Sequence, residues 1–200
     1  GEWTFFDFFA GAGGLGLAFR TAGSRCVGLL EPSSLWGTTA RMNLAQGEEP
    51  DLVAIGRQAT LKPAGILARL GGRRPDVLLA QPLWPAPVTQ GGKPRKDLFL
   101  APPNDWFGDP RNLGMGKVLA MVQELAPRVV LLPHIARVAS RRDLGLLALH
   151  CTALHKLGYT VLPAQLNDAW YGAPVSCFRI VVLAVKNMRP ADVADRKSVV

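Results

Sequence analysis

The 200-residue sequence predicts an α/β fold built on a doubly wound, mostly parallel sheet of seven strands. Three features carry that reading. Short, near-continuous apolar runs alternate with helical stretches, as strands do when crossover helices bury both of their faces. A glycine-rich turn joins the first run to the first helix. The last two runs follow each other with no helix between them, so they are expected to pair antiparallel at one edge of the sheet.

Taken in order, Thr4 to Phe9 (TFFDFF) reads as a buried first strand, and the glycine turn leads into a helix from about Gly14 to Ala22. Arg25 to Leu30 is the second strand, and Ser33 and Ser34 can cap a helix running to about Asn43. Leu52 to Ile55 is a short third strand; Ala64 to Leu70 is a helix stopped by Gly71 and Gly72; Asp76 to Ala80 is the fourth strand. Leu113 to Leu125 is a helix, Arg128 to Leu132 the fifth strand, and Asp143 to Leu157 a helix ended by Gly158. Thr160 to Gln165 and Arg179 to Val185 are the last two strands. One domain over residues 1–186 with a tail over 187–200 is the expected organisation. Residues 81–112 break the regularity. They hold seven prolines and a basic cluster of Lys93, Arg95 and Lys96, and long loops of this kind are commonly functional.

Composition narrows the class. Apolar residues make up 48% and charged residues 19%, which excludes a disordered chain. No apolar run is long enough to cross a membrane. Glu2 and Asp7 stand where a signal peptide would carry its basic and apolar regions, so none is expected. Cys26, Cys151 and Cys177 are odd in number and widely spaced, matching neither a disulfide framework nor a metal site, and a reducing intracellular setting (cytoplasm, nucleoid or nucleus) follows. Lys+Arg 23 against Asp+Glu 15 gives a net charge of +8, which suits an acidic partner, with nucleic acid the commonest.

The chemistry is concentrated at the ends of the first two strands. In Phe8-Phe9-Ala10-Gly11-Ala12-Gly13-Gly14-Leu15-Gly16 the glycines permit a tight turn and close approach of a ligand, and the helix N-terminus offers N–H groups to an anion. Glu31 ends the second strand, where a carboxylate can accept both hydroxyls of a ribose. The competing reading gives the glycines only a turn and a helix-packing role.

The run Asp7-Phe8-Phe9-Ala10-Gly11-Ala12-Gly13-Gly14-Leu15-Gly16 resembles the first motif of DNA cytosine-C5 methyltransferases. Glu31 with Thr38-Thr39-Ala40-Arg41-Met42-Asn43 resembles that family's second motif. Asp109-Pro110-Arg111-Asn112, Pro127-Arg128-Val129-Val130-Leu131 and Asn167-Asp168-Ala169-Trp170-Tyr171-Gly172-Ala173-Pro174 match in order, so the likeness runs from about residue 4 to 185. The resemblance implies a class I, Rossmann-like methyltransferase fold and S-adenosylmethionine or S-adenosylhomocysteine as cofactor. It places that cofactor on Phe8, Ala10, Gly11, Gly13, Gly14, Glu31 and Pro82.

The family's catalytic groups are not where the resemblance puts them. Its nucleophile is a cysteine thiolate in a Pro-Cys loop after the fourth strand, and Trp84 stands in that register. Its Glu-Asn-Val after the fifth strand is matched by Pro133-His134-Ile135, so Pro133 replaces the acid. His134 reads as polar surface at a strand end, with a substitute acid as the alternative. Of the Gln-x-Arg-x-Arg run before the last strand only Arg179 remains, read as an ion-paired or surface charge, and Cys177 reads as a small buried hydrophobe. Arg57 stands near the aspartate that would receive the adenine amino group, and a guanidinium cannot accept; Gln58 beside it could. After its last strand the family continues into a target-recognition domain and a final helix, against 15 residues following Val185 here; those parts are expected to be cut away, lost, or supplied by another chain.

The resulting expectation is a methyltransferase-like protein without C5 chemistry, with no catalytic residue and no metal, acting as a DNA-associated regulatory or partner subunit. Nucleic-acid contacts fall on Lys93, Arg95, Lys96 and Arg111. The alternative is an enzyme that uses S-adenosylmethionine on another substrate in a remodelled, Trp/Pro-rich pocket.

Overall fold

The computed structural model describes residues 2–45, 49–82, 89–90, 93–94, 113–135 and 144–189. Its main sheet has seven strands: β1 (Thr4–Phe8), β2 (Arg25–Glu31), β3 (Leu52–Ile55), β4 (Val77–Ala80), β7 (Val129–Ile135), β8 (Tyr159–Asn167) and β9 (Phe178–Lys186). A separate two-stranded ladder pairs β5 (Thr89–Gln90) with β6 (Lys93–Pro94). The helices are α1 (Gly14–Thr21), α2 (Ser34–Leu44), α3 (Pro63–Arg69), α4 (Leu113–Leu125) and α5 (Leu144–Lys156).

Strand order across the sheet is β3-β2-β1-β4-β7-β9-β8. β1 to β4 and β7 run parallel, while β9 inserts antiparallel between β7 and β8. The expected antiparallel pair is present with β8 at the edge. β9 lies inside, which explains the uninterrupted apolar run Ile180-Val181-Val182-Leu183-Ala184-Val185. Pro133 and Pro163 are both accommodated within strands, opposite Val181 and Val182 of β9. The ladder β5–β6 and the 3₁₀ turns over Gly56–Thr60 and Asp168–Tyr171 are, among the described residues, regular elements that periodicity did not reveal; each is too short to show a period.

Two apolar layers sandwich the sheet. One face carries Phe6, Phe8, Leu30, Leu78, Ala80, Val130 and Leu132 against Met121, Leu125 and Leu154 of α4 and α5. The other carries Phe5, Cys26, Leu29, Val77 and Leu79 against Ala40 and Leu44 of α2. On this second face α1 packs on β1 and β2, and α2 on β2 and β3. Farther across, Val129, Leu131, Val181, Leu183 and Val185 of β7 and β9 are only half-buried.

The pairing of β1 with β2 slips by one residue between Phe5 and Phe6, so that Phe6 lies opposite Gly28. The Phe6 ring fills the space above that glycine: a Cβ on Gly28 would sit 2.3 Å from ring carbons of Phe6. Phe6 is fully buried, so the ring has nowhere to retreat. Gly28→Ala is expected to destabilise the fold by about 1–3 kcal/mol through overpacking. A lower urea midpoint with an unchanged m-value checks this.

Candidate functional site

The parallel strands share one carboxyl end, and the glycine loop leaves β1 there. Phe9 is the first residue beyond β1 and holds a left-handed backbone (φ 58), an arrangement that costs a non-glycine residue free energy. The N–H groups of Phe9 and Ala10 both donate to the Leu30 carbonyl, at 2.9 and 3.3 Å, which anchors the turn to the end of β2. Phe9 stacks on Phe8 with ring centroids 4.3 Å apart.

Glu31 is the hub of the loop. Its Oε2 accepts from the Gly11 N–H at 2.8 Å and its Oε1 from the Ser33 N–H at 2.7 Å. Glu31 as a whole is 5% exposed. Each oxygen retains a further lone pair, so the group can still accept from a ligand. Ser33 then caps α2, its Oγ accepting from the Trp36 N–H. From the far end of α2, Asn43 Nδ2 donates to the Ala12 carbonyl at 2.8 Å. The Asn43 side chain thus pins the loop from a second direction, a role the sequence signals only by placing an amide at the end of the helix.

The glycines divide into two kinds. A Cβ on Gly13 would lie 3.0 Å from Ala40 Cα, and one on Gly16 would lie 2.6 Å from Asp7 Oδ2 and 3.0 Å from Leu44. These two let α1 pack against α2 and β1, and Gly13 also needs its positive φ of 84. Gly11 and Gly14 differ: among the described residues a Cβ at either meets nothing within 4 Å. The packing reading of the loop therefore holds at Gly13 and Gly16, while Gly11 and Gly14 leave room on the loop. The open space over Gly11 lies beside the Glu31 carboxylate, which accepts from the Gly11 N–H, a fit for a ligand with vicinal hydroxyls. On the adenine side the fit is poorer, for Arg57 and Gln58 are both exposed on the 3₁₀ turn.

Beneath the loop, Asp7 is 1% exposed. Burial pushes its carboxyl up from 3.8 to about 7; the Gly16 N–H opposes the rise and the Glu31 carboxylate adds to it. Burial, with the Asp7 charge second, also pushes the Cys26 thiol up to about 12, so that thiol is no nucleophile.

Two expectations need correction. Phe8 is 4% exposed within the core, because alternation along β1 turns it to the same face as Phe6. The half-buried ring at the strand end is that of Phe9. His134 is not polar surface: it is 4% exposed, with His150 of α5 also buried, and burial lowers each to about 4. Register explains this, since His134 lies opposite Ile180 and continues the row of Val130 and Leu132.

Ala10 is half-buried beside the loop, and Pro82 is buried after β4, its Cβ 3.2 Å from a Cβ placed on Gly114. Pro133 is half-buried in β7. Arg179 makes the expected ion pair, its Nε donating to Asp168 Oδ1 and Oδ2 at 3.1 and 3.0 Å. Cys177 is half-buried rather than buried. Asn167 is 6% exposed and closes its own loop, Oδ1 accepting from Ala169 N and Nδ2 donating to Ser176 Oγ. Lys93 starts β6, whereas Trp84, Arg95, Lys96 and Arg111 lie outside the described residues. Among the described residues no group of three or more metal-ligating side chains comes together, and no helix is long and apolar enough to cross a membrane.

A seven-stranded sheet with one antiparallel strand, helices on both faces and a glycine loop at the carboxyl end of β1 defines the class I, Rossmann-like methyltransferase fold. No family model matches the chain. It is 26% identical over 187 residues to the type II methyltransferase M1.HphI of Haemophilus parahaemolyticus, covering 92% of this chain and 46% of that protein. With the type II methyltransferase M.HhaI of the same organism it shares 24% identity over 183 residues, covering 92% and 49%. Among solved structures, DNMT2 of Spodoptera frugiperda superimposes with a TM-score of 0.65 at 17% identity, covering 93% of this chain and 50% of that one. Dnmt2 of S. pombe gives a TM-score of 0.63 at 16% identity, covering 94% and 51%. The chain is thus a homologue of the DNA cytosine-C5 methyltransferases and spans about half the length of these curated relatives.

Two outcomes follow from this geometry. Glu31→Gln turns an amide N–H toward one of the two backbone N–H groups, and is expected to cost about 1–3 kcal/mol, read as a drop in urea midpoint. Asp7→Asn tests the buried carboxyl. Asp7 has its folded pKa raised, so its contribution is complete below 3.8 and is lost as pH rises through about 7. His134 and His150 have theirs lowered, so their contribution is present above 6.5 and is lost as pH falls through about 4. The Tm difference between Asp7→Asn and the unmodified protein should grow from pH 4 to a plateau above pH 7; a difference independent of pH would contradict it.

Proposed function

We propose that this chain binds S-adenosylmethionine or S-adenosylhomocysteine at the glycine loop, does not methylate carbon 5 of cytosine, and serves as a DNA-associated regulatory or partner subunit. The observation that carries the reading is the open space over Gly11 and Gly14, with the doubly anchored Glu31 carboxylate beside Gly11. Glu31 would accept the ribose hydroxyls, and Ala10, Gly11, Gly13, Gly14 and Pro82 would line the rest, with Phe9 in the place expected of Phe8. Bound there, S-adenosylmethionine supplies an electrophilic methyl group.

What the chain lacks is the means to activate a cytosine. Trp84 stands in the nucleophile's register, and an indole has no group that attacks carbon 6. Pro133 has no proton to give. His134, next along, is buried and neutral at pH 7. The half-buried apolar surface of β7 and β9 supports a further protein segment or partner on that face. The net charge of +8 and the Lys93, Arg95, Lys96 and Arg111 cluster support DNA as the acidic partner.

Incubation with duplex DNA and labelled S-adenosylmethionine should incorporate no methyl group into cytosine. Incorporation that Glu31→Ala abolishes would contradict the proposal; transfer to some other acceptor would favour an altered enzyme. DNA retardation should be salt-sensitive and sequence-tolerant, with a log–log slope of roughly −3.6 for four phosphate contacts. Replacing Lys93, Arg95 and Lys96 by alanine should weaken it strongly, and unchanged retardation would remove this segment from the interface.

A further inference from the structure

The parallel strands also share an amino end, and a cleft of about 310 Å³ opens there, on the side of the sheet opposite the glycine loop. Arg25 begins β2, Asp51 immediately precedes β3, and Arg73 and Arg74 lie in the connection from α3 to β4. All four line the cleft, with Val27 and Leu70 as its apolar part. The five residues of β1 put about 17 Å between this end and the glycine loop.

One carboxylate organises the cleft. Asp51 Oδ1 accepts from Arg25 Nη2 at 2.8 Å, and Oδ2 accepts from Arg73 Nη2 at 3.1 Å, so the two guanidinium groups are held side by side. Arg73 Nε is fixed to the Leu70 carbonyl, and Arg74 Nη1 to the Glu124 carbonyl. Among the described residues three guanidinium groups line the cleft with the Asp51 carboxylate, and Thr4 of the lining donates to the Asp76 carboxylate beside it. Arg73 and Arg74 keep N–H donors beyond those bonds among the described residues, and planar guanidinium forks match the oxygens of a phosphate. The volume is at the lower end for ligand sites, which suits one phosphate group and its immediate substituent.

We infer that this amino-end cleft is a phosphate-binding site, separate from the proposed cofactor pocket and independent of it. A nucleoside monophosphate and the backbone of a nucleic acid present the same chemistry, and the test separates them. Inorganic phosphate, adenosine 5′-monophosphate and a short DNA duplex are titrated into the unmodified protein and into an Arg73→Ala/Arg74→Ala variant. Arg73 is an exposed side chain, so the variant is expected to fold; an unchanged Tm verifies it. Arg73→Lys, which keeps the charge without the fork, is the second variant.

A free phosphomonoester as ligand predicts that adenosine monophosphate and inorganic phosphate bind, that the double variant weakens both roughly tenfold or more, and that Arg73→Lys restores only part. A nucleic-acid backbone predicts that the duplex alone is weakened, with its log–log salt slope shallower by about 1.8 for two lost contacts. Either result supports the site, and neither depends on S-adenosylmethionine. Failure of all three probes to bind the unmodified protein, or equal binding by the double variant, would overturn it.

Discussion

The carboxylate of Glu31 does more than end a strand. By accepting from Gly11 on one side and Ser33 on the other, it joins the turn after β1 to the entry of α2. Those two connections surround the point from which the ligand space opens. Without such a clasp the loop would have to hold a left-handed Phe9 and two positive-φ glycines on backbone bonds to Leu30 alone. Asn43 completes the arrangement from the other end of α2. A single short helix therefore supports the glycine turn at both of its termini.

This arrangement accounts for a division in the molecule. Gly13 and Gly16 serve helix packing, and their loss would disturb the fold itself. Gly11 and Gly14 face open space, and the fold does not require their lack of a side chain for packing. Free space beside a buried carboxylate with acceptor capacity left is what a binding pocket requires, and the positive φ of Gly11 serves the turn as well. The residues at the cytosine end show the reverse. Pro133 sits in register opposite Val181 as an ordinary strand residue, and His134 has been absorbed into the core. The glycine-loop end thus keeps a doubly anchored carboxylate, while β7 carries a strand proline and a buried histidine near its end.

The alternation of apolar runs and helices made the sheet legible, down to the antiparallel edge pair, because buried parallel strands leave a strong signal. The glycine loop and Glu31 were legible for the same reason: few other residues satisfy that turn. Less could be read where a side chain's role depends on which face of a strand it takes. Phe8 and Phe9 are adjacent and chemically equal, and only the end of β1 decides that Phe8 joins the core. His134 looked like surface because one histidine carries no period; its neighbours on the same face, Val130 and Leu132, show otherwise once the register is known. The amino-end cleft was invisible in sequence, since Arg25, Asp51 and the Arg73–Arg74 pair come from three stretches far apart in the chain.

The central claim is that the space over the glycine loop binds a cofactor and is not a by-product of packing. Calorimetric titration of S-adenosylmethionine into the unmodified chain and into Gly14→Leu tests it most directly. Gly14 begins α1 with no positive φ, and among the described residues nothing lies within 4 Å of its Cβ position, so leucine there should leave the Tm unchanged. Binding to the unmodified protein and its loss in Gly14→Leu at the same Tm are expected. No binding to the unmodified protein, or equal binding by both, would contradict it.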